Sequence, residues 1–162
     1  MEQIIKVGMA DLNIAKAPGI LTTLGLGSCV AIALYDRKQK IGGLAHIMLP
    51  SSKNIKRNEN KAKFADTAVE YLIEKMESLG ADINDITAKI AGGAQMFAFK
   101  NKNNDLLRIG ERNVAATLKA LEEAKIPVIA QDTGGNYGRT VELYTEDGTL
   151  LIKTIGKGIK RI

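Results

Sequence analysis

The sequence predicts a mixed α/β fold: a layered sandwich of mixed, largely antiparallel β-sheet with two main helices. Three observations point there. The neighbouring segments Cys29 to Tyr35 and Ile41 to Leu49 are apolar on both faces, which calls for cover on both sides of a sheet. Two later segments repeat apolar residues at helical spacing. The remaining apolar runs are short and bounded by Gly, Pro or Asp turns, as strands are.

The elements follow in order. Ile4 to Val7, Asp11 to Ala15 and Ile20 to Leu24 read as short strands broken by Gly8 and by Pro18-Gly19. Cys29 to Tyr35 and Ile41 to Leu49 flank the polar loop Asp36 to Lys40, a hairpin signature. The one polar intruder in that pair is His46. Ser51 to Lys63 is polar, basic and aperiodic, and reads as a loop. A helix over about Lys61 to Leu79 presents Ala65, Ala68, Val69, Leu72, Ile73, Met76 and Leu79 to the core, with Gly80 suited to its C′ position. Ile86 to Ala91 is a strand ending in Gly92-Gly93, and a second helix spans Glu111 to Ala124 with Val114, Leu118 and Leu121 inward. Val128 to Ala130 is another strand, and a last hairpin joins Arg139–Tyr144 to Thr149–Ile155 through Glu146-Asp147-Gly148.

No repeat or linker interrupts this order, so residues 1–162 are expected to form a single domain. The 162 residues carry a net charge of +5, with 45% apolar and 25% charged side chains, which excludes a disordered chain. One cysteine excludes a disulfide framework. The N-terminal segment carries Glu2, Lys6 and Asp11 and does not read as a secretory signal. Ala17 to Tyr35 is uncharged but contains Pro18, Gly19, Gly25 and Gly27, which suit strands and a turn better than a bilayer span. A reduced, cytoplasmic protein without membrane insertion is expected.

The single cysteine and the single histidine fall in one hairpin, 17 residues apart. Directly opposed residues of an antiparallel pair share a face and a constant sum of numbers. A loop centred between Arg37 and Lys38 sets Cys29 opposite His46. A register two units away leaves them diagonal on the same face, whereas a slip of one separates them. Thiol and imidazole can therefore form a dyad. Gly25-Leu26-Gly27-Ser28 precedes Cys29 and can take positive φ, turning the amides around Gly27 and Ser28 into a small nest for an oxyanion. An imidazolium beside the sulfur would lower the thiol pKa and supply thiolate. Thr22 or Thr23, one strand earlier, could orient the ring. The structural alternative is that a lone buried Cys packs as a small hydrophobe and a lone His satisfies a main-chain group.

Other chemistries lack their residues. The glycines before Cys29 lead into a strand and lack the third Gly or Ala of a dinucleotide fingerprint, and no Walker lysine follows a Gly-rich loop. One Cys and one His do not make a metal site, and no cofactor is expected. Basic clusters lie at Lys53, Lys56, Arg57, Lys61 and Lys63 and at Lys153, Lys157, Lys160 and Arg161; such clusters can attract acidic partners but are mostly solvated surface, and with only 4% aromatics and no stacking motif nucleic acid is not expected. Phe97 and Phe99 follow a Gly pair and read as either a docking patch or a core edge.

Several segments together resemble the CheD family. They are TLGLGSCVAI from Thr23, GGLAHIMLP from Gly42, KFADTAVEYL from Lys63, KIAGGAQMF from Lys89, IGERN from Ile109 and DTGGNYGRTVE from Asp132. The resemblance implies an α/β sandwich with a Cys-His-Thr site that deamidates glutamine side chains on the cytoplasmic helices of chemotaxis receptors. It assigns the nucleophile to Cys29, the base to His46 and the orienting role to Thr23 rather than Thr22. It further implies glutamyl methylesterase activity in some members and partnership with a CheC-type phosphatase. This chain differs in having Phe64 where many members have Tyr, and in a somewhat extended Asn101 to Leu107. A non-catalytic module that regulates a chemotaxis phosphatase or receptor is the competing expectation.

Overall fold

Along Val30–Asp36 every residue is buried, because one set of alternate side chains packs between two sheets and the other packs beneath helices. The computed structural model describes residues 3–96 and 108–162. Its strands are β1 Gln3–Lys6, β2 Asp11–Lys16, β3 Gly19–Leu26, β4 Val30–Asp36, β5 Ile41–Ile47, β6 Ile86–Gly92, β7 Val128–Thr133, β8 Arg139–Tyr144, β9 Leu150–Thr154 and β10 Gly158–Arg161. The helices are α1 Ala65–Ser78 and α2 Ile109–Glu123, with a 3-10 turn at Ile83–Asp85.

Two five-stranded sheets stack, one ordered β2-β5-β4-β6-β7 and the other β1-β3-β8-β9-β10. Only β6–β7 and β1–β3 are parallel; the other pairs are antiparallel, as the sandwich expectation required. Both helices cover the first sheet, α1 on β2 and β5 and α2 on β4, β6 and β7. The layers thus run sheet, sheet, helices. Val30, Ile32, Leu34, Ala45 and Ile47 meet Ala68, Leu72 and Met76 on the helix side. Ala31, Ala33, Leu44 and Ala91 meet Leu21, Val141, Leu143 and Ile152 between the sheets.

Helix α1 ends as its sequence predicts. Gly80, at φ +112°, donates to Glu77 O at 3.0 Å, and Ala81 donates to Met76 O at 3.0 Å, which closes the C-terminus in a Schellman motif. It begins four residues later than expected, at Ala65. Ala17 and Pro18 lie in the turn before β3 and Gly19 to Tyr35 in β3, β4 and their connection, and no helix among the described residues is long and apolar enough to cross a membrane.

Two expectations change. The fully buried positions of α2 are Gly110, Asn113, Thr117 and Leu121, whereas Val114 and Leu118 are only half-buried, so the helix is rotated from its apolar stripe. Strand β10 was not anticipated: all four residues are exposed, so it carries no apolar alternation, and it pairs only with β9. Phe97 and Phe99 lie outside the described residues.

Candidate active site

Three strands deliver the candidate residues. In the β4–β5 hairpin Val30 pairs with Ile47 and Ala31 with His46. The loop is therefore centred between Lys38 and Gln39, one position later than the register that would oppose Cys29 and His46 directly. Asp36 explains the shift. It looks like a loop residue but is fully buried in the strand, paired with Ile41, while its carboxylate accepts Lys38 N at 2.9 Å, Gln39 N at 3.0 Å and Asp82 N at 2.9 Å. The new register is two units away in sum, so Cys29 and His46 are diagonal neighbours on the face between the sheets.

His46 is fully buried at the end of that face. From the opposite sheet, Thr23 Oγ1 lies 2.7 Å from His46 Nδ1 and 2.6 Å from Val7 O. The carbonyl can only accept, so the single hydroxyl proton goes to Val7 O and the hydroxyl accepts from Nδ1–H. This assigns the tautomer: Nδ1 carries the proton and Nε2 carries a lone pair. Nε2 is buried and has no hydrogen-bond partner among the described residues. Thr22, the alternative, faces away and donates to Val141 O at 2.9 Å.

The segment Gly27 to Cys29 links β3 to β4. Its carbonyls are all held: Gly27 O by Ala94 N at 2.9 Å, Ser28 O by Asn113 Nδ2 at 3.0 Å, and Cys29 O by Gly93 N at 2.8 Å. The amides of Ser28 and Cys29 have no main-chain acceptor among the described residues, and the Cys29 amide acts on its own sulfur. Positive φ is taken by Gly25, at +71°, and not by Gly27, whose missing side chain instead makes room for Met96. Gly92 is required differently. At φ +112°, a side chain there would overlap the Cys29 carbonyl oxygen.

Burial pushes the Cys29 thiol above its usual range, opposed by the residue's own amide, and burial pushes the His46 imidazole below its usual range. Both shifts work against the charged forms, so burial opposes the expected imidazolium–thiolate pair.

Two buried polar residues escaped sequence reasoning. Asn113 donates both to Ser28 O and to Met48 O, each at 3.0 Å, bridging the cysteine loop and the end of β5. Arg139, buried between the sheets, donates to Asp132 Oδ2 at 3.3 Å and to Gly92 O at 3.4 Å. The signal available was their place in the IGERN and DTGGNYGRTVE segments. A cavity of about 460 Å³ opens at the far end of β4 among Tyr35, Lys89, Ile129 and Gly148. Two of its polar groups are committed to the main chain: Lys89 Nζ donates to Gly148 O and Ile162 O, and the Tyr35 hydroxyl to Thr145 O. The described residues contain no cluster of three or more His, Cys, Asp or Glu that could hold a metal ion.

A family model described as CheD chemotactic sensory transduction matches residues 48–154, beginning just after His46. A protein of Caldanaerobacter subterraneus subsp. tengcongensis, named probable chemoreceptor glutamine deamidase CheD, is 59% identical over 99% of this chain and 98% of its own. The chemoreceptor glutamine deamidase CheD of Halalkalibacterium halodurans is 51% identical over the full length of both. Among solved structures, a Neisseria meningitidis protein of family DUF152 overlays 83% of this chain and 64% of its own at a TM-score of 0.49 and 8% identity. Since both the family model and the full-length relatives match, the chain belongs to the CheD family.

Proposed function

We propose that this protein is a cysteine-dependent protein-glutamine glutaminase that deamidates glutamine side chains on the cytoplasmic helices of chemoreceptors. The observation that carries the proposal is the buried Thr23–His46 contact, which leaves a bare Nε2 lone pair on the face shared with the chain's single cysteine. A buried base on the same face as a buried thiol, with burial opposing charge on both, suits general-base attack on an unactivated carboxamide.

Cys29 Sγ attacks the carboxamide carbon as its proton passes to His46 Nε2. The carbonyl π electrons move to oxygen, and the amides of Ser28 and Cys29 are the donors placed to receive that oxyanion. The intermediate collapses as Nε2–H gives its proton to the departing amine, which leaves as ammonia, and a thioester remains. Nε2 then takes a proton from water, the hydroxide attacks the thioester carbon, and the thiol leaves with the proton from Nε2–H. Glutamate and ammonia are the products. A glutamyl methyl ester enters at the same thioester with methanol as leaving group, so methylesterase activity needs no further residue. Partnership with a CheC-type phosphatase is part of the same proposal and rests on family membership.

The test is mass spectrometry of a receptor cytoplasmic fragment incubated with the wild-type chain and with Cys29→Ala. Glutamine converted to glutamate by the wild type alone is the expected result. Conversion by both would remove Cys29 as nucleophile. Conversion by neither, on a folded matched receptor, would favour a non-catalytic regulatory module.

A further inference from the structure

Of the three carbonyls that leave the cysteine loop, two are held by main-chain amides and one, Ser28 O, by a side chain. In a planar trans peptide the C=O and the N–H point in opposite directions. Anchoring Ser28 O toward α2 therefore aims the Cys29 N–H away from α2, to the side of its own sulfur, where that amide acts on the thiol. The peptide that presents an oxyanion donor is held in orientation by Asn113 Nδ2.

The second Nδ2 hydrogen goes to Met48 O, two residues beyond His46. One carboxamide thus ties the peptide before the nucleophile to the strand that carries the base. Asn113 is fully buried in the first turn and a half of α2. Its neighbour Gly110 lies so close to Ala94 and Gly93 that a side chain there would overlap their main chain, which locks the helix against the segment holding Gly27 O and Cys29 O. Asn113 Oδ1 has no partner among the described residues. The carboxamide is kept for what it donates.

We infer that Asn113 is the positioning residue of the oxyanion site: it holds the Ser28–Cys29 peptide so that the Cys29 N–H meets the tetrahedral intermediate. The inference rests on the deamidase reading above. It separates two properties that a merely structural residue would move together. Alkylation of Cys29 by iodoacetamide needs the thiol but develops no oxyanion, whereas deamidation needs both.

The experiment compares wild type, Asn113→Ala and Asn113→Asp, each checked for folding by thermal melting, in receptor-fragment deamidation and in iodoacetamide alkylation. Losing one oriented donor lowers kcat on the order of 10²-fold, with KM within about three-fold and alkylation within about two-fold of wild type. Asn113→Asp adds a pH signature. Its carboxylate cannot donate, while its protonated form donates one bond, and burial between two carbonyls raises its pKa. Its kcat relative to wild type therefore recovers as pH falls from about 8 to about 5, and that of Asn113→Ala does not. If Asn113→Ala fails to fold, this recovery in Asn113→Asp, with alkylation unchanged, carries the test. Near-wild-type kcat in the folded variants, or alkylation falling in step with kcat, would overturn the inference. Cys29→Ala is assayed in parallel: turnover in that variant defeats the nucleophile assignment itself, while a dead Cys29→Ala beside fully active Asn113 variants defeats only the role of Asn113.

Discussion

Replacing Thr23 by Val tests the tautomer assignment with little change in shape, since a methyl takes the place of the hydroxyl. In the wild type one hydroxyl satisfies two buried groups, donating to Val7 O at 2.6 Å and accepting from His46 Nδ1–H at 2.7 Å. Thr23→Val leaves both without a partner in a region where Thr23 and His46 are essentially inaccessible to water. Each orphaned buried group costs about 1–3 kcal/mol. The ring can relieve one of them by moving its proton to Nε2, but that removes the lone pair needed to take the thiol proton. Either way catalysis suffers: the ring is badly held or it is in the wrong tautomer. The expected loss is about 2–4 kcal/mol of stability, and a fall in kcat on the order of 10²–10⁴.

For a chain of this length, 1 kcal/mol moves Tm by about 2–4 °C, so Thr23→Val should melt about 4–16 °C below wild type. Ammonia release from the receptor fragment reads the rate, and calorimetry reads the stability. Thr23→Ser is the companion variant. It keeps the hydroxyl and loses one buried methyl, worth about 1 kcal/mol, and should retain turnover within about three-fold. Full activity in Thr23→Val would refute the assignment of Nδ1–H to Thr23. So would a Thr23→Ser as inactive as Thr23→Val.

Four further outcomes follow from the same geometry. Because burial raises the Cys29 pKa and lowers that of His46, the alkylation rate of the free enzyme should climb with pH through the alkaline range; a plateau below pH about 7 would show a preformed thiolate instead. The His46 shift also makes stability pH-dependent: the unfolded chain takes up the proton first as pH falls below about 6.5, so this contribution is complete above that pH and is lost on acidification toward the depressed folded value, and urea midpoints measured from pH 7 to 5 should fall more in wild type than in His46→Gln. Gly92→Ala combines a left-handed backbone with overlap on Cys29 O, and should cost about 2 kcal/mol or more and displace the cysteine loop, read as slower alkylation together with a lower Tm. Arg139→Met removes a buried cation from beside Asp132 and Gly92 O; with Lys160 still 3.5 Å from Asp132, the loss should sit near the lower end of the 3–5 kcal/mol typical of such a break, about 3 kcal/mol by urea unfolding, and a change under about 1 kcal/mol would show the pair to be dispensable.

The hairpin was legible because its strands are apolar on both faces, and the shared face of Cys29 and His46 survived a register error because the error was an even number of residues. The error itself came from Asp36. Charge made it look like loop, and only the amides of Lys38, Gln39 and Asp82 explain how a carboxylate ends a buried strand. Helix α2 was legible as a helix but not in its rotation. Asn113 and Thr117 occupy the most buried positions, and the carbonyls that satisfy Asn113 come from residues 65 and 85 positions away, which no local pattern encodes. Choosing between Thr22 and Thr23 needed the packing of one sheet on the other. Strand β10 was missed because its exposed edge has nothing to alternate.

The proposed catalytic groups come from both sheets, Thr23 from one and His46 with Cys29 from the other, so the Thr23–His46 contact depends on how closely the sheets approach. Small residues set that distance. Ala31, Ala33 and Ala91 face Leu21, Val141 and Leu143, a small-against-large interdigitation that brings the backbones together. Gly42 shows how little room remains: a side chain there would stand 2.9 Å from Thr145 Cγ2 and 3.2 Å from Leu143 Cδ2. Gly43, next along β5 and pointing to the other face, is pressed just as closely by Leu72 and Met76 of α1. The strand that carries His46 is therefore clamped on both sides immediately before the base. Burial disfavours charge on both the thiol and the imidazole, so the positioning of the imidazole falls to this packing and to one threonine hydroxyl.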